Sequence, residues 1–155
     1  MKLSIVTTLY KSERFIEQFL EKCIEAAEKY GGDFEIIVVD DGSPDRSRQL
    51  AEAYADTDNR IRVIELSRNF GHHAAFLCGM HYACGERCFL IDSDLEVDPA
   101  TLVTFKGEDG IFRCRCRLWR AGNPARERQY AHLWRTVLEN IQSVFRNQGP
   151  SGCHD

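Results

Sequence analysis

The chain of 155 residues has no C-x-x-C pair, and no apolar run approaches the ~20 residues needed to cross a bilayer. Its first residues, Met-Lys-Leu-Ser-Ile-Val-Thr-Thr, lack the apolar stretch of a secretory signal. Seven cysteines, at positions 23, 78, 84, 88, 114, 116 and 153, form no even framework and no zinc-binding spacing, which predicts reduced thiols. Together these absences predict a cytoplasmic chain, at most peripheral at a membrane. The first strand-like segment runs into Thr7-Thr-Leu-Tyr-Lys-Ser-Glu13 rather than G-x-G-x-x-G, which argues against a dinucleotide-dependent oxidoreductase. A magnesium-dependent phosphatase or phospho-acceptor domain would need a nucleophilic Asp after that same segment and a late Lys, and neither is present. Positive charge is scarce in the first two thirds: residues 1–105 hold 11 Lys+Arg against 19 Asp+Glu, net −8. Nucleic acid is bound by clustered Lys and Arg, so no nucleic-acid partner is expected, and an anionic ligand at this acidic surface would need a metal.

What is present is one core's worth of apolar residues, 43% of the chain, in an alternation of short β-branched runs and helical periods. Residues 3–9 read as a buried strand, and Phe15, Ile16, Phe19, Leu20, Cys23, Ile24 and Ala27 fall at helical spacing. Gly31-Gly32 stops that helix, and Phe34-Glu-Ile-Ile-Val-Val39 has the near-continuous apolar character of a strand buried on both faces. Ser43 suits an N-cap and Pro44 a first helical residue, which predicts a helix through Leu50, Ala51 and Tyr54 before a third strand over 61–66. Residues 72–84 read as a helix ended by Gly85, residues 88–91 as a fourth strand, and Asp98-Pro99 as a further helix start. The order βαβαβαβ predicts an α/β fold of Rossmann-like type: a mostly parallel sheet with right-handed crossovers and helices on both faces.

Ligands of such sheets bind beyond the carboxyl ends of the strands, where this chain places Asp40-Asp41, Arg68-Asn69 and Asp92-Ser93-Asp94. Two carboxylates one residue apart can reach a hard cation that takes its other ligands from water and substrate phosphate. Read alone, Asp92-Ser93-Asp94 also fits a solvated turn, and Asp40-Asp41-Gly42-Ser43 also fits a capped strand-to-helix turn. Likewise, Arg68 could be a solvated loop residue, and His72 and His73 could be merely solubilising.

Three strings in order, Val38-Val-Asp-Asp-Gly-Ser-Pro-Asp45, Leu66-Ser-Arg-Asn-Phe-Gly-His72 and Leu90-Ile-Asp-Ser-Asp-Leu-Glu96, resemble the family 2 glycosyltransferases of GT-A type. The likeness is greatest to their dolichyl-phosphate mannose synthase and bactoprenol glucosyltransferase branch. It covers about residues 1–105 and implies a nucleotide-sugar-binding GT-A half. By resemblance, Thr7, Leu9 and Glu13 line the nucleotide pocket, Asp41 contacts the base or ribose, Asp40 belongs to the same nucleotide-sugar site, and Arg68, Asn69 and His72 face the donor. Asp92 and Asp94 would hold Mg²⁺ or Mn²⁺ on the donor diphosphate. The implied reaction moves a sugar from a UDP- or GDP-type donor to polyprenyl phosphate, and full-length relatives in this branch are membrane-associated. An acceptor phosphate is itself nucleophilic, and no convincing general base follows residue 98, so no catalytic residue is assigned.

Residues 106–155 carry 9 Lys+Arg against 5 Asp+Glu, net +4, and read as a basic tail with a weak helical period at Leu133, Val137, Leu138, Ile141, Val144 and Phe145. The resemblance stops near Lys106, and the GT-A fold is expected to be incomplete. The string from Arg115 to Pro124 can be encoded so that a one-base shift reads D-V-V-Y-G-V-Q-E-T, a strand of the sort the family places next. A frame change after about residue 105 is therefore expected. The alternative to an enzyme is a catalytically inactive nucleotide-binding fragment whose acceptor half is missing.

Overall fold

The computed structural model describes residues 2–104 and 112–113. Strands β1 (Leu3–Leu9), β2 (Phe34–Asp40), β3 (Ile61–Glu65) and β4 (Arg87–Leu90) alternate with helices α1 (Ile16–Tyr30), α2 (Ser47–Thr57) and α3 (His72–Tyr82). A short α4 (Thr101–Thr104) and a two-residue β5 (Phe112–Arg113) follow. The sheet order is β3-β2-β1-β4-β5; β1 to β4 are parallel, and β5 pairs antiparallel with β4. β1 lies at the centre with all seven residues buried, as its β-branched run requires.

Alternate side chains of the strands feed two cores. Leu3, Ile5 and Leu9 with Ile36 and Val38 pack under Phe19 and Leu20 of α1, Ala51 of α2 and Leu102 of α4. Val6, Ile37 and Val39 pack under Ala75, Phe76 and Cys78 of α3 on the other face. Helices thus cover both faces, as predicted. Gly79 lets α3 approach the sheet closely, since an added Cβ there would fall 2.3 Å from Val6 Cγ1.

Several details differ from the sequence-based expectations. α2 begins at Ser47 rather than Pro44, because Ser43 bonds outward to Lys11 and to Asp45 instead of capping a helix. The last helix begins at Thr101 rather than near Pro99, after an Asp98 whose carboxylate accepts the Ala100 N–H. The sheet also takes up β5 from beyond residue 105, which pairs with the β4 edge. Among the described residues Cys23, Cys78 and Cys88 are free and buried. The helical period from Leu133 to Phe145 and the frame-change segment from Arg115 to Pro124 lie outside the described residues. Among the described residues no helix is long and apolar enough to cross a membrane.

Candidate functional site at the carboxyl edge of the sheet

The parallel strands end together at Leu9, Asp40, Glu65 and Leu90, so the loops that follow share one edge. The loop after β1 is tied to the loop after β2 through Asp45. Its carboxylate accepts the Glu13 N–H at 3.1 Å, the Ser47 N–H at 3.1 Å, the Ser43 hydroxyl at 2.7 Å and the Ser47 hydroxyl. Desolvation opposes ionisation of Asp45, but those serine and backbone donors outweigh it and lower its carboxyl to about 2. Ser43 Oγ and Ser47 Oγ in turn accept the Lys11 and Ser12 N–H groups at 2.8 and 2.9 Å. Glu13 closes the junction by accepting the Arg46 N–H at 3.2 Å.

The loop after β2 is tied to the loop after β3 by Asp41. This residue is 3% exposed, and its own N–H donates to the Leu9 carbonyl. Its Oδ1 accepts the Phe70 N–H at 2.7 Å and its Oδ2 the Gly71 N–H at 3.0 Å. Gly42, at φ +68, lets the two loops touch: an added Cβ would stand 2.7 Å from Asn69 N and 2.8 Å from the Arg68 carbonyl carbon. Asp40, 2% exposed, accepts the Ser43 N–H; burial pushes its carboxyl up to about 6.

The turn after β4 is set by its middle residue. Ser93 is buried, and its hydroxyl donates to the Thr8 carbonyl at 2.8 Å. That uses its single proton, so the 2.9 Å contact with Ser12 has Ser12 as the donor. With Ser93 drawn inward, Asp92 and Asp94 are exposed. Asp94 Oδ1 accepts the Glu96 N–H, and Leu95 between them takes φ +62, a conformation that costs a non-glycine residue about 1–3 kcal/mol and is found where a local geometry is enforced. His72, the first residue of α3, reaches over this turn. Its Nδ1 lies 3.3 Å from Thr8 Oγ1 and 3.5 Å from Asp92 Oδ1, and its ring stands edge-on to Phe76.

Of the residues singled out in the sequence, Asp40, Asp41, Arg68, Asn69, His72, Asp92 and Asp94 gather at this edge, and Glu13 reaches it through Arg46. Arg68 is exposed, with its guanidinium over the Phe70 ring at 4.8 Å. Thr7 and Leu9 point the other way. Leu9 is fully buried in the α1 core, and Thr7 Oγ1 is buried with no hydrogen-bond partner, so neither side chain reaches the edge surface. The sequence reading missed Ser93, Asp45 and Tyr10. Tyr10 stands 48% exposed at the end of β1, beside Lys11 at φ +57, and an exposed aromatic just past a strand end was the signal for it.

Among the described residues no group of three or more His, Cys, Asp or Glu is arranged to hold a metal ion. A Mg²⁺-like ion keeps waters and substrate oxygens, and one or two protein carboxylates are enough for it. The two outward carboxylates of Asp92 and Asp94 fit that ion in donor type and number.

Residues 4–105 match the protein-family description "Glycosyl transferase family 2". The chain is 50% identical over 123 residues to a Mycobacterium tuberculosis protein named for glycosyltransferases, with 76% of this chain and 36% of that one aligned. It is 30% identical over 160 residues to the undecaprenyl-phosphate 4-deoxy-4-formamido-L-arabinose transferase of Proteus mirabilis, covering 98% of this chain and 47% of that one. Among solved structures it is similar to residues 1–349 of TarS from S. aureus in complex with UDP-GlcNAc. That match has 32% identity and a TM-score of 0.53, and covers 61% of this chain and 27% of that one. The mannosyltransferase PcManGT of Pyrobaculum calidifontis, in complex with GDP-Man and Mn²⁺, shares the fold at 24% identity and a TM-score of 0.54, over 59% of this chain and 27% of that one. The chain spans about a third to a half of the length of the curated relatives it matches. With the GT-A fold in place and the match running from the first strand through the turn after β4, the chain belongs to glycosyl transferase family 2.

Proposed function

We propose that this chain binds a nucleotide-diphosphate sugar of UDP or GDP type at the carboxyl edge of its sheet, as the donor half of a sugar transfer to polyprenyl phosphate. The observation that carries this is the inward pull on Ser93, which leaves Asp92 and Asp94 facing out beside the loop that bears Arg68 and Asn69. Asp92 and Asp94 would hold Mg²⁺ or Mn²⁺, which when bound offsets the charge developing on the leaving diphosphate. Arg68, exposed and with no carboxylate contact among the described residues, would meet the same phosphates. Tyr10 offers a ring face to the base, and Glu13 and Asp40 hold the loops around it. Thr7 and Leu9 act as core beneath the pocket rather than as its walls. In the transfer an acceptor phosphate oxygen bonds to the anomeric carbon as the bond from that carbon to the donor diphosphate breaks. The polyprenyl-phosphate acceptor is supported by the name of the Proteus relative, and the UDP-type donor by the TarS complex.

Residues 1–105 are proposed as the donor-binding unit and 106–155 as a basic tail, a boundary supported by the family match ending at residue 105, with Phe112–Arg113 adding a short strand to the same sheet. The same stop supports a second reading: residues from about 106 are out of frame, and the chain binds nucleotide without turnover. The alignment with the Proteus relative across 98% of this chain counts against it. The deciding measurements are thermal unfolding with UDP and GDP in Mg²⁺, Mn²⁺ or EDTA, and transfer from UDP- and GDP-sugars to polyprenyl phosphate. Diphosphates should raise the unfolding temperature only when the metal is present. Equal stabilisation in EDTA would defeat the metal-bridged site, and product formation would defeat the inactive-fragment reading.

A further inference from the structure

We propose that Ser12 is a positioning residue that couples the two ends of the donor site: hydrogen bonds running Asp45–Ser47–Ser12–Ser93 carry the setting of the loop after β2 into the Asp92-Ser93-Asp94 turn. The proposal rests on the donor-binding reading and adds to it a role for three buried serines, Ser12, Ser47 and Ser93. Ser12 commits each of its polar groups to a different neighbour. Its N–H donates to Ser47 Oγ at 2.9 Å, and its hydroxyl donates to Ser93 Oγ at 2.9 Å. Its carbonyl accepts the Phe15 and Ile16 N–H groups at 2.9 and 3.0 Å, where α1 begins. At the two ends, Ser47 gives its hydroxyl proton to Asp45 and Ser93 gives its own to the Thr8 carbonyl. A serine hydroxyl has one proton, so every member of this chain has one orientation, and bonds in such a chain polarise and strengthen one another.

The backbone carries an independent sign of the same constraint. Among the described residues the two non-glycine residues at positive φ are Lys11, at 57, and Leu95, at 62. Lys11 directly precedes Ser12, and Leu95 comes two residues after Ser93. Such conformations persist where the surroundings over-determine them. The Lys11 N–H is held by Ser43 Oγ, whose hydroxyl donates to the same Asp45. Leu95 is spanned by the bond from the Glu96 N–H to Asp94. The loop after β2 and the turn after β4 therefore behave as one piece, and a change at Asp45 reaches the two outward carboxylates through Ser47 and Ser12.

A double-variant cycle on the whole chain tests the coupling. The quantity read is the ratio of UDP or GDP affinity in Mn²⁺ to that in EDTA, with uridine and guanosine as the metal-free reference. Ser12→Ala keeps the backbone bonds and should lower that ratio about fivefold, the worth of one buried hydrogen bond, while nucleoside affinity is unchanged. Asp45→Asn should lower the ratio as well, and in the Ser12→Ala background it should lower it no further. Lost stability with an unchanged ratio would make the network merely structural and overturn the proposal, and so would additive effects of the two changes. If either variant does not fold, Ser12→Cys and Ser47→Ala cut the same links. The amide resonances of residues 92–96 in the ligand-free chain give a second readout: Asp45→Asn should move them, but not once Ser12→Ala is present. Unmoved resonances in Asp45→Asn would overturn the coupling. If no nucleotide binds the unmodified chain, the donor-binding reading fails by itself and these resonances decide the coupling.

Discussion

Ser93 donates its hydroxyl to the carbonyl of Thr8 across 2.8 Å, joining the turn after β4 to the end of the central strand. This single bond decides which residues of Asp92-Ser93-Asp94 face solvent. Ser93→Ala removes two buried hydrogen bonds, the one to the Thr8 carbonyl and the one from the Ser12 hydroxyl, and should lower stability by about 1–3 kcal/mol, as read from the denaturant midpoint. It should also weaken metal-dependent diphosphate binding, since the flanking carboxylates lose their anchor. Unaltered metal-dependent binding in Ser93→Ala would show that the turn is held by something else.

Asp92 and Asp94 themselves are exposed, so their replacement by Asn should shift stability by no more than about 0.5 kcal/mol while removing the metal-dependent rise in unfolding temperature. A large loss of stability in both variants would assign these carboxylates to the fold instead.

Asp40 gives the protein a pH dependence of definite sign. Burial raises its folded-state carboxyl from 3.8 to about 6, so between those values the folded chain holds a proton that the unfolded chain has released. The stabilisation is fully present below about pH 4 and is lost as pH rises through 6, amounting to about 3 kcal/mol at most. Asp45 has the opposite sign: with its carboxyl lowered from 3.8 to about 2, its contribution is complete above pH 4 and fades as pH falls toward 2. Urea unfolding from pH 2 to 7 should resolve both windows. Asp40→Asn should flatten the upper one alone, and a slope unchanged between pH 4 and 6 would remove Asp40 as its source.

Gly79 reports on the fit of α3 to the sheet. A Cβ there would lie 2.3 Å from Val6 Cγ1 and 3.0 Å from Val39 Cγ2, so Gly79→Ala should destabilise by about 1–3 kcal/mol through overpacking. Adding Val6→Ala removes the nearer atom. The double variant should lose less than the two single changes combined, and simple additivity would deny the contact.

Much of this was legible in the sequence because the physics is local. The β-branched runs at 3–9 and 34–39 and the helical spacing from Ile16 to Ala27 each state their own burial, and the strand ends then bring Asp41, Arg68 and Asp92 to one edge. The unread features join distant segments. Ser93 finds Thr8 and Ser12 more than eighty positions away, and Asp45 accepts from two serine hydroxyls and from the Glu13 and Ser47 N–H groups, drawing in the Ser43 that sequence assigns to a helix cap. The place of Leu9 at the pocket is implied by the family resemblance alone, whereas the face its side chain turns to depends on where α1 packs. β5, two residues long, is too short to carry a period.

Glu35 provides the control that separates the two ends of the sheet. It interrupts an apolar strand, yet it is 5% exposed, because the Ser4 hydroxyl and the Cys84 N–H each donate to its Oε1 at 2.6 Å and Arg62 and Lys2 approach its Oε2 at 3.4 and 3.6 Å. Arg62 also donates to the Tyr82 carbonyl, so this one carboxylate gathers β1, β3 and the turn that leads α3 into β4 at the amino end of the sheet, away from Asp92. Removing it leaves buried donors and a guanidinium without their acceptor, and breaking a buried pair in this way costs about 3–5 kcal/mol. Glu35→Ala should therefore unfold at much lower denaturant, whereas Glu35→Ala with Arg62→Met should recover part of the loss by removing the stranded charge. Because the cluster lies at the edge opposite the proposed site, the fraction that remains folded should bind diphosphate in Mn²⁺ with unchanged affinity. Loss of that binding at full stability would place Glu35 in the site and contradict the separation of the two edges.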